Sequence, residues 1–213
     1  MRKWIERASH AHSPERRLLL RAVVGAAIFF PHTTYAERAE PVGSVEDIKG
    51  EAFAEARAER RSLERAAPLF INDLVGTGAD SRLTLQLGKD TTLRVGARAR
   101  VTLDRLLVNA GGEITLQSGP ILFDRPAGSA PAQMQIRSSF GLIAVRGTRF
   151  FAGPTAGGFG VFVVRGSVAV SAAGTTVPVR AGLGTIIARR GAAPARPVPW
   201  NVQRVRAALK SVG

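Results

Sequence analysis

The chain has no cysteine, and its three histidines, His10, His12 and His32, all fall within the first 36 of its 213 residues. Its one tyrosine, Tyr35, lies there too. Without cysteine there are no disulfides, thiolate metal sites, thiol catalysis or lipidation of an N-terminal Cys. Beyond residue 36 there is also no imidazole. That removes the usual general base, any Ser-His-Asp triad and any imidazole-ligated zinc. No catalytic residue, metal ligand or cofactor is therefore assigned. Long apolar runs are missing as well. Ala22 to Phe30 is too short to span a bilayer, which takes about 20 residues.

That apolar run belongs to a leader. Residues 1–21 are basic, the run follows, and Thr34 and Ala36 are small residues at the positions a signal peptidase reads. Residues 1–36 are read as a signal peptide, and the expected location is periplasmic. Arg16-Arg17 before Leu18-Leu19-Leu20-Arg21 resembles a twin-arginine signal, although Glu15 departs from the usual Ser or Thr. General secretion and twin-arginine export both stay open. Membrane contact is expected only if the leader remains uncleaved.

What is plentiful is arginine. The formal charge is +14, and residues 37–213 still hold 24 basic against 14 acidic side chains, a net of +10. Such a surface favours anionic partners, while the plainer reading is a solvated basic face.

Glycine and β-branched residues set the pattern of the rest. From Ser138 to Gly182, short blocks of Val, Ile and Phe are punctuated by Gly158, Gly166, Gly174 and Gly182, eight apart each time. Eight residues suit a strand of about five plus a tight turn. Gly88 and Gly96 repeat the spacing, and Leu83, Leu85 and Leu87 alternate with polar residues. The expected fold is all-β, a solenoid-like roll or sandwich of many short strands, over residues 42–190. Between Val42 and Ala67 local propensity leaves a helix and two small strands equally open, with Arg57, Arg60, Arg61 and Arg65 as a basic strip beside Glu55, Glu59 and Glu64. Residues 191–213 read as a Pro/Ala-rich linker, Gly191 to Pro199, and a short basic amphipathic helix. Asn201 is the helix N-cap, with Val202, Val205, Leu209 and Val212 along one side.

Several motifs stop short. Gly76-Thr77-Gly78-Ala79-Asp80-Ser81 lacks the third glycine of a dinucleotide fingerprint and runs on as a strand. Gly153 and Gly158 have P-loop spacing, but Phe159 stands where Lys is needed. No nucleotide is expected, and few aromatics are available to stack nucleic-acid bases. Asp73, Asp80, Asp90, Asp104, Glu113 and Asp124 keep a carboxylate-based glycosidase formally open, but turn-capping explains them equally well.

The ordered set of motifs over residues 42–188 resembles the FecR domain family, periplasmic β-domains named after a regulator of iron-citrate uptake. The resemblance rests on Val42-Gly43, Lys49-Gly50 and Asn72-Asp73-x-Val75-x-Thr77-Gly78, where Asn72 replaces a Gly. It continues with Lys89-Asp90-Thr91-x-Leu93, where Thr91 replaces a Gly, and Val145-Arg146-Gly147-Thr148-x-Phe150. Gly166-Ser167-Val168-x-Val170 and Ala181-Gly182 close it. It implies an all-β domain and strands for the arginine-rich segment. The regulators behind the name carry an anti-sigma region and a transmembrane helix before this domain. Neither is matched here, so the expectation is a stand-alone exported module. In the signature, Gly147 is expected to serve a tight turn, Val145 and Phe150 the core, and Thr148 a local hydrogen bond. Gly166 and Gly182 complete the motif, and Arg146, Arg149 and Arg165 are the basic residues that could face a ligand. The expected function is non-enzymatic binding or sensing in the cell envelope, toward a protein partner or an anionic envelope polymer. Envelope scaffolding is the alternative, followed by the glycosidase.

Overall fold

A computed structural model describes residues 40–107, 111–128 and 133–213, with residues 106, 107 and 146 described for backbone only. The leader lies outside the described residues. The strands are β1 (Gly43–Lys49), β2 (Ala52–Ala56), β3 (Glu59–Ser62), β4 (Pro68–Leu69), β5 (Leu74–Thr77), β6 (Arg82–Leu87), β7 (Thr91–Val95) and β8 (Arg100–Leu107). They continue as β9 (Gly111–Ser118), β10 (Ile121–Asp124), β11 (Gln133–Ser138), β12 (Leu142–Thr155), β13 (Gly158–Ala172), β14 (Thr175–Arg180), β15 (Leu183–Ile187) and β16 (Val198–Pro199). One helix, α1 (Val202–Lys210), follows.

All the strands join one mixed sheet, in which β9 and β11 are the parallel pair. It has two arms. The first runs β3-β2-β5-β8-β9-β11 and reaches the first half of β12; the second runs β4-β1-β6-β7-β10 and reaches its second half. The β12–β13 hairpin spans both arms, with β14 on residues 167–172 of β13 and β15 on residues 159–162. Both arms turn one face inward to a shared core. Ala54, Val75, Val101, Ile114 and Ile136 come from the first arm, and Val45, Leu85, Leu93 and Phe123 from the second. The strict alternation of β6 and β7 is what makes that one-sided burial possible.

The arginine-rich segment is a hairpin, β2–β3, as the family resemblance implies. Its helical propensity is overridden by pairing with β5. Arg57 and Ala58 make the turn with φ of 50° and 67°, both left-handed, as a two-residue hairpin of the right twist requires. Asn72 has φ 68°, which Asn tolerates better than most residues where Gly is usual. The eight-residue glycine spacing also has a physical meaning. Gly158 and Gly174 sit at hairpin turns, and Gly166 and Gly182 sit where the chain passes between arms.

Part of the second arm is apolar on both faces. Leu122, Phe151 and Phe162 point outward and are covered by Trp200, Ala208 and Val212. Trp200 stacks on Phe162 at 5.3 Å and meets Phe151 edge-on at 6.5 Å. Its ring rests on glycine: a Cβ built on Gly184 would lie 2.4 Å from it, and one on Gly160 2.8 Å. The expected linker is therefore a strap. Ala195 N donates to Ile186 O, Thr185 Oγ1 donates to Ala195 O, and β16 pairs with β15, so residues 191–199 deliver Trp200 to its seat. Asn201 caps α1 by accepting from Arg204 N at 2.8 Å. Val205, Ala208 and Leu209 face the sheet, whereas Val202, expected on that side, remains 72% exposed.

Trp200→Ala should therefore destabilise the domain by about 3 kcal/mol or more, the usual cost of emptying a large aromatic site. Denaturant unfolding checks this; an unchanged midpoint would mean that the strap and helix do not stabilise the second arm.

Candidate functional site

The signature residues lie where β12 and β13 leave one arm for the other. Along β12, Ile143 and Val145 face the core, and then Thr148, Phe150 and Ala152 do. The inward parity changes from odd to even across Gly147, whose φ is 59°. Along β13, Phe159, Val161 and Val163 face inward, and then Val168 and Val170, with the change at Gly166, φ 83°. The two shifts lie opposite each other as bulges in the ladder between Arg146↔Ser167 and Phe150↔Val163. A bulge inserts one residue and flips every later side chain to the other face. Val145 and Phe150 are thus core residues on either side of the shift. Gly182, φ 80°, turns β14 into β15 beside them, with Ala181 N donating to Gly166 O and Gly182 N to Val163 O.

Thr148 departs from expectation. Its hydroxyl is buried and finds no hydrogen-bond partner among the described residues. Its methyl instead occupies the space a side chain at Gly166 would need, since a Cβ there would lie 2.6 Å from Thr148 Cγ2. Elsewhere the motif residues tie strands together. Asp73 is buried, accepts two bonds from Arg61 at 3.1 and 2.6 Å, and accepts from Phe70 N. Thr77 Oγ1 donates to Gly96 O and accepts from Ala99 N, fastening β5 to the β7–β8 crossing. In the Gly76–Ser81 stretch, Phe53 lies against Gly76 and Ser81 Oγ accepts from Glu51 N, so it ends a strand and makes a turn.

Two of the three candidate basic residues, Arg149 and Arg165, converge on one carboxylate. Arg165 donates to Asp124 Oδ1 at 2.9 Å and to Arg125 O, and Arg149 Nε lies 3.6 Å from Asp124 Oδ2. Arg146 pairs through its backbone with Ser167. In the N-terminal strip, Arg61 and Arg65 pair with Asp73 and Asp47, and Arg60 covers the Phe53 ring at 3.6 Å. The Arg137 guanidinium holds Glu113 below the usual carboxylate range, mainly through the 2.6 Å bond from its Nε. Partial burial opposes this, and the charges of Arg137 and Arg105 add to it.

Two hollows were not legible from sequence. A polar one of about 330 Å³ lies on the second arm's outer face, where Arg94 and Arg149 meet Glu46, Asp47 and Asp124. An apolar one of about 350 Å³ opens among three turns: that between β9 and β10, that between β11 and β12, and the tip of the β12–β13 hairpin. Phe140 and Phe159 stack in it at 5.0 Å, with Leu116 and Pro154 beside them and the Arg190 guanidinium 6.0 Å from the Phe140 ring centre. Ser138 Oγ shapes the wall from the β11–β12 turn by accepting from Phe140 N and Gly141 N. The one sequence signal was a large apolar residue, Phe140, inside a tight turn.

A two-armed β-sheet whose signature is a paired bulge between the arms defines a structural class. Residues 73–169 match the family model described as FecR protein. Two crystal structures of a candidate anti-sigma factor from Parabacteroides distasonis ATCC 8503, at 1.65 and 2.50 Å resolution, share the fold. Each superposes with a TM-score of 0.53 at 13% identity over 64% of this chain. The match covers 64% and 63% of those chains, so this protein corresponds to just under two thirds of their length. No curated protein matches the chain.

Two outcomes follow from the site. Gly147→Ala should cost only the left-handed backbone penalty, roughly 1–2 kcal/mol, because a Cβ there meets nothing. Gly166→Ala should cost more, since the clash with Thr148 adds roughly 1–3 kcal/mol; equal losses in denaturant melts would overturn the paired-bulge account. Glu113 has a depressed folded pKa. Its stabilisation is complete above the unfolded carboxyl value of about 4.3 and is lost as pH falls through the folded one. In Arg137→Gln the Glu113 midpoint, followed by carboxyl NMR, should rise.

Proposed function

We propose that this protein is a non-enzymatic regulatory or sensing module of the bacterial cell envelope, exported to the periplasm, which recognises a protein partner through an acidic segment. The observation that carries this reading is the distribution of charge. After Asp124 no carboxylate side chain occurs, while twelve Arg and Lys side chains do. Arg137, Arg149 and Arg165 are matched by acids from earlier strands. Arg180 and Arg196 have no such partner among the described residues, and they flank a hollow of about 480 Å³ floored by Val177, Pro178, Leu183 and Pro197. Two guanidiniums beside an apolar floor suit an acidic segment carrying apolar side chains.

The hollow lies on β14, which pairs only with β13 among the described residues. Pro178 interrupts that edge and blunts indiscriminate strand addition. Charge and the hollow, rather than backbone pairing, are then the basis of selection. The regulatory part of the reading draws on the FecR match and on the anti-sigma designation of the Parabacteroides protein, with sigma-factor control as its nearest context. A non-catalytic role is supported by Asp73, Glu113 and Asp124, each engaged by arginine. Export is supported by the leader pattern of residues 1–36.

Arg180→Glu with Arg196→Glu should reduce capture of the partner from envelope extract by at least tenfold, and raised salt should do the same for the unaltered protein. Salt-insensitive capture that survives the double change would overturn the reading. Capture of polysaccharide instead of protein would transfer it to an envelope polymer. Mass spectrometry of the periplasmic form should give a mature N-terminus next to Ala36.

A further inference from the structure

The apolar hollow at the tip of the β12–β13 hairpin is chemically unlike the basic flank on β14. Its walls come from three separate turns: Ser118–Gly119, Ser138–Phe140 and Pro154–Phe159. Two of the turns are pinned internally, by Ser138 Oγ with Phe140 N and Thr155 Oγ1 with Gly158 O, and in the third Ser118 Oγ donates to Arg98 O. The hollow is thus built into the sheet and does not depend on a mobile loop. Its volume, about 350 Å³, lies at the small end of the range for pockets that enclose a compact organic ligand.

Its lining pairs an apolar body with a single charge. Leu116, Phe140, Pro154 and Phe159 supply the apolar surface, and among the described residues Arg190 supplies the only charge and no carboxylate lines it. Arg190 is exposed, lies near the Phe140 ring and makes no ion pair among the described residues. The hydroxyls of Ser118 and Ser139 and the amide of Gln117 add polar groups at the rim. Phe140 and Phe159 stack on each other, 10° from parallel, instead of parting into a slot for a flat ring. An alkyl body therefore fits better than a planar aromatic one.

We infer that this hollow binds a small amphipathic carboxylate, with its alkyl chain against Leu116, Phe140, Pro154 and Phe159 and its carboxylate on Arg190. A guanidinium beside an apolar wall selects both for charge and for chain, since the carboxylate gains a charge-assisted hydrogen bond and the chain leaves water. This goes beyond partner recognition at β14 and stands or falls without it, because it concerns a ligand taken directly from solution. It gives a sensing module a chemical input separate from its protein contact.

Calorimetric titration of the full chain with sodium decanoate tests it. Binding should be saturable at one site per chain, and decyltrimethylammonium, which carries the same chain with the opposite charge, should bind at least tenfold more weakly. Arg190→Ala should weaken decanoate about tenfold, the loss expected for one hydrogen bond to a charged group. Ser139→Trp, an exposed turn position at the rim, should block the site outright while thermal melting confirms an intact fold. No saturable decanoate binding, equal binding of the cationic analogue, or decanoate binding unchanged in both folded variants would each overturn the assignment. Loss of decanoate binding in Ser139→Trp with capture of the envelope partner retained would separate this site from the one on β14.

Discussion

A sheet that serves two arms from the same strands must change which face of each strand points inward. Side chains alternate with a period of two, so a strand that runs unbroken from one arm to the other would carry half its apolar residues to the wrong side. The paired shift at Gly147 and Gly166 resolves this in both strands of the hairpin at once. Were only one strand to bulge, the two would face the core in conflicting registers and either Phe150 or Val168 would be turned outward. The rest of the structure depends on that coincidence, because β10, β11, β14 and β15 all take their register from this hairpin.

The second arm carries a related demand. Its outward Leu122, Phe151 and Phe162 would form an exposed apolar patch if nothing lay on them, a liability in a soluble β-protein. The strap and α1 answer it locally, and the glycines at positions 160 and 184 let an indole approach the backbone closely. The first arm needs no such cover, since its outer face carries Thr102, Thr115, Gln135 and Arg137. Asymmetry between the arms thus follows from side-chain chemistry rather than from topology.

Much of the fold was legible because alternation and glycine spacing report strands directly. Leu83 to Leu87 read as a strand on their own and Asn201 as a cap, whereas the tight turns expected at Gly147 and Gly166 are bulges inside the longer strands β12 and β13. Other features rest on contacts far apart in sequence. Arg57-Ala58 lacks the usual turn residues, and only pairing of β2 with β5 selects strand over helix there. The Gly191–Pro199 stretch has a linker's composition, and its anchorage rests on hydrogen bonds to β15. The engagement of Arg149 and Arg165 by Asp124 joins residues 25 and 41 positions apart, which no local pattern encodes. The apolar hollow was illegible for the same reason, being assembled from three turns.

The β12–β13 hairpin also bears on the order in which the chain can fold. Its two strands meet across a two-residue turn at Ala156-Gly157, so closing it costs little chain entropy. By contrast β1 must find β6, and β9 must find β11 in parallel, across longer intervening segments. An early hairpin would offer each arm a preformed edge already bent at the right residue. The conformational search for sixteen strands then reduces to two growths from one template, proceeding outward in opposite directions.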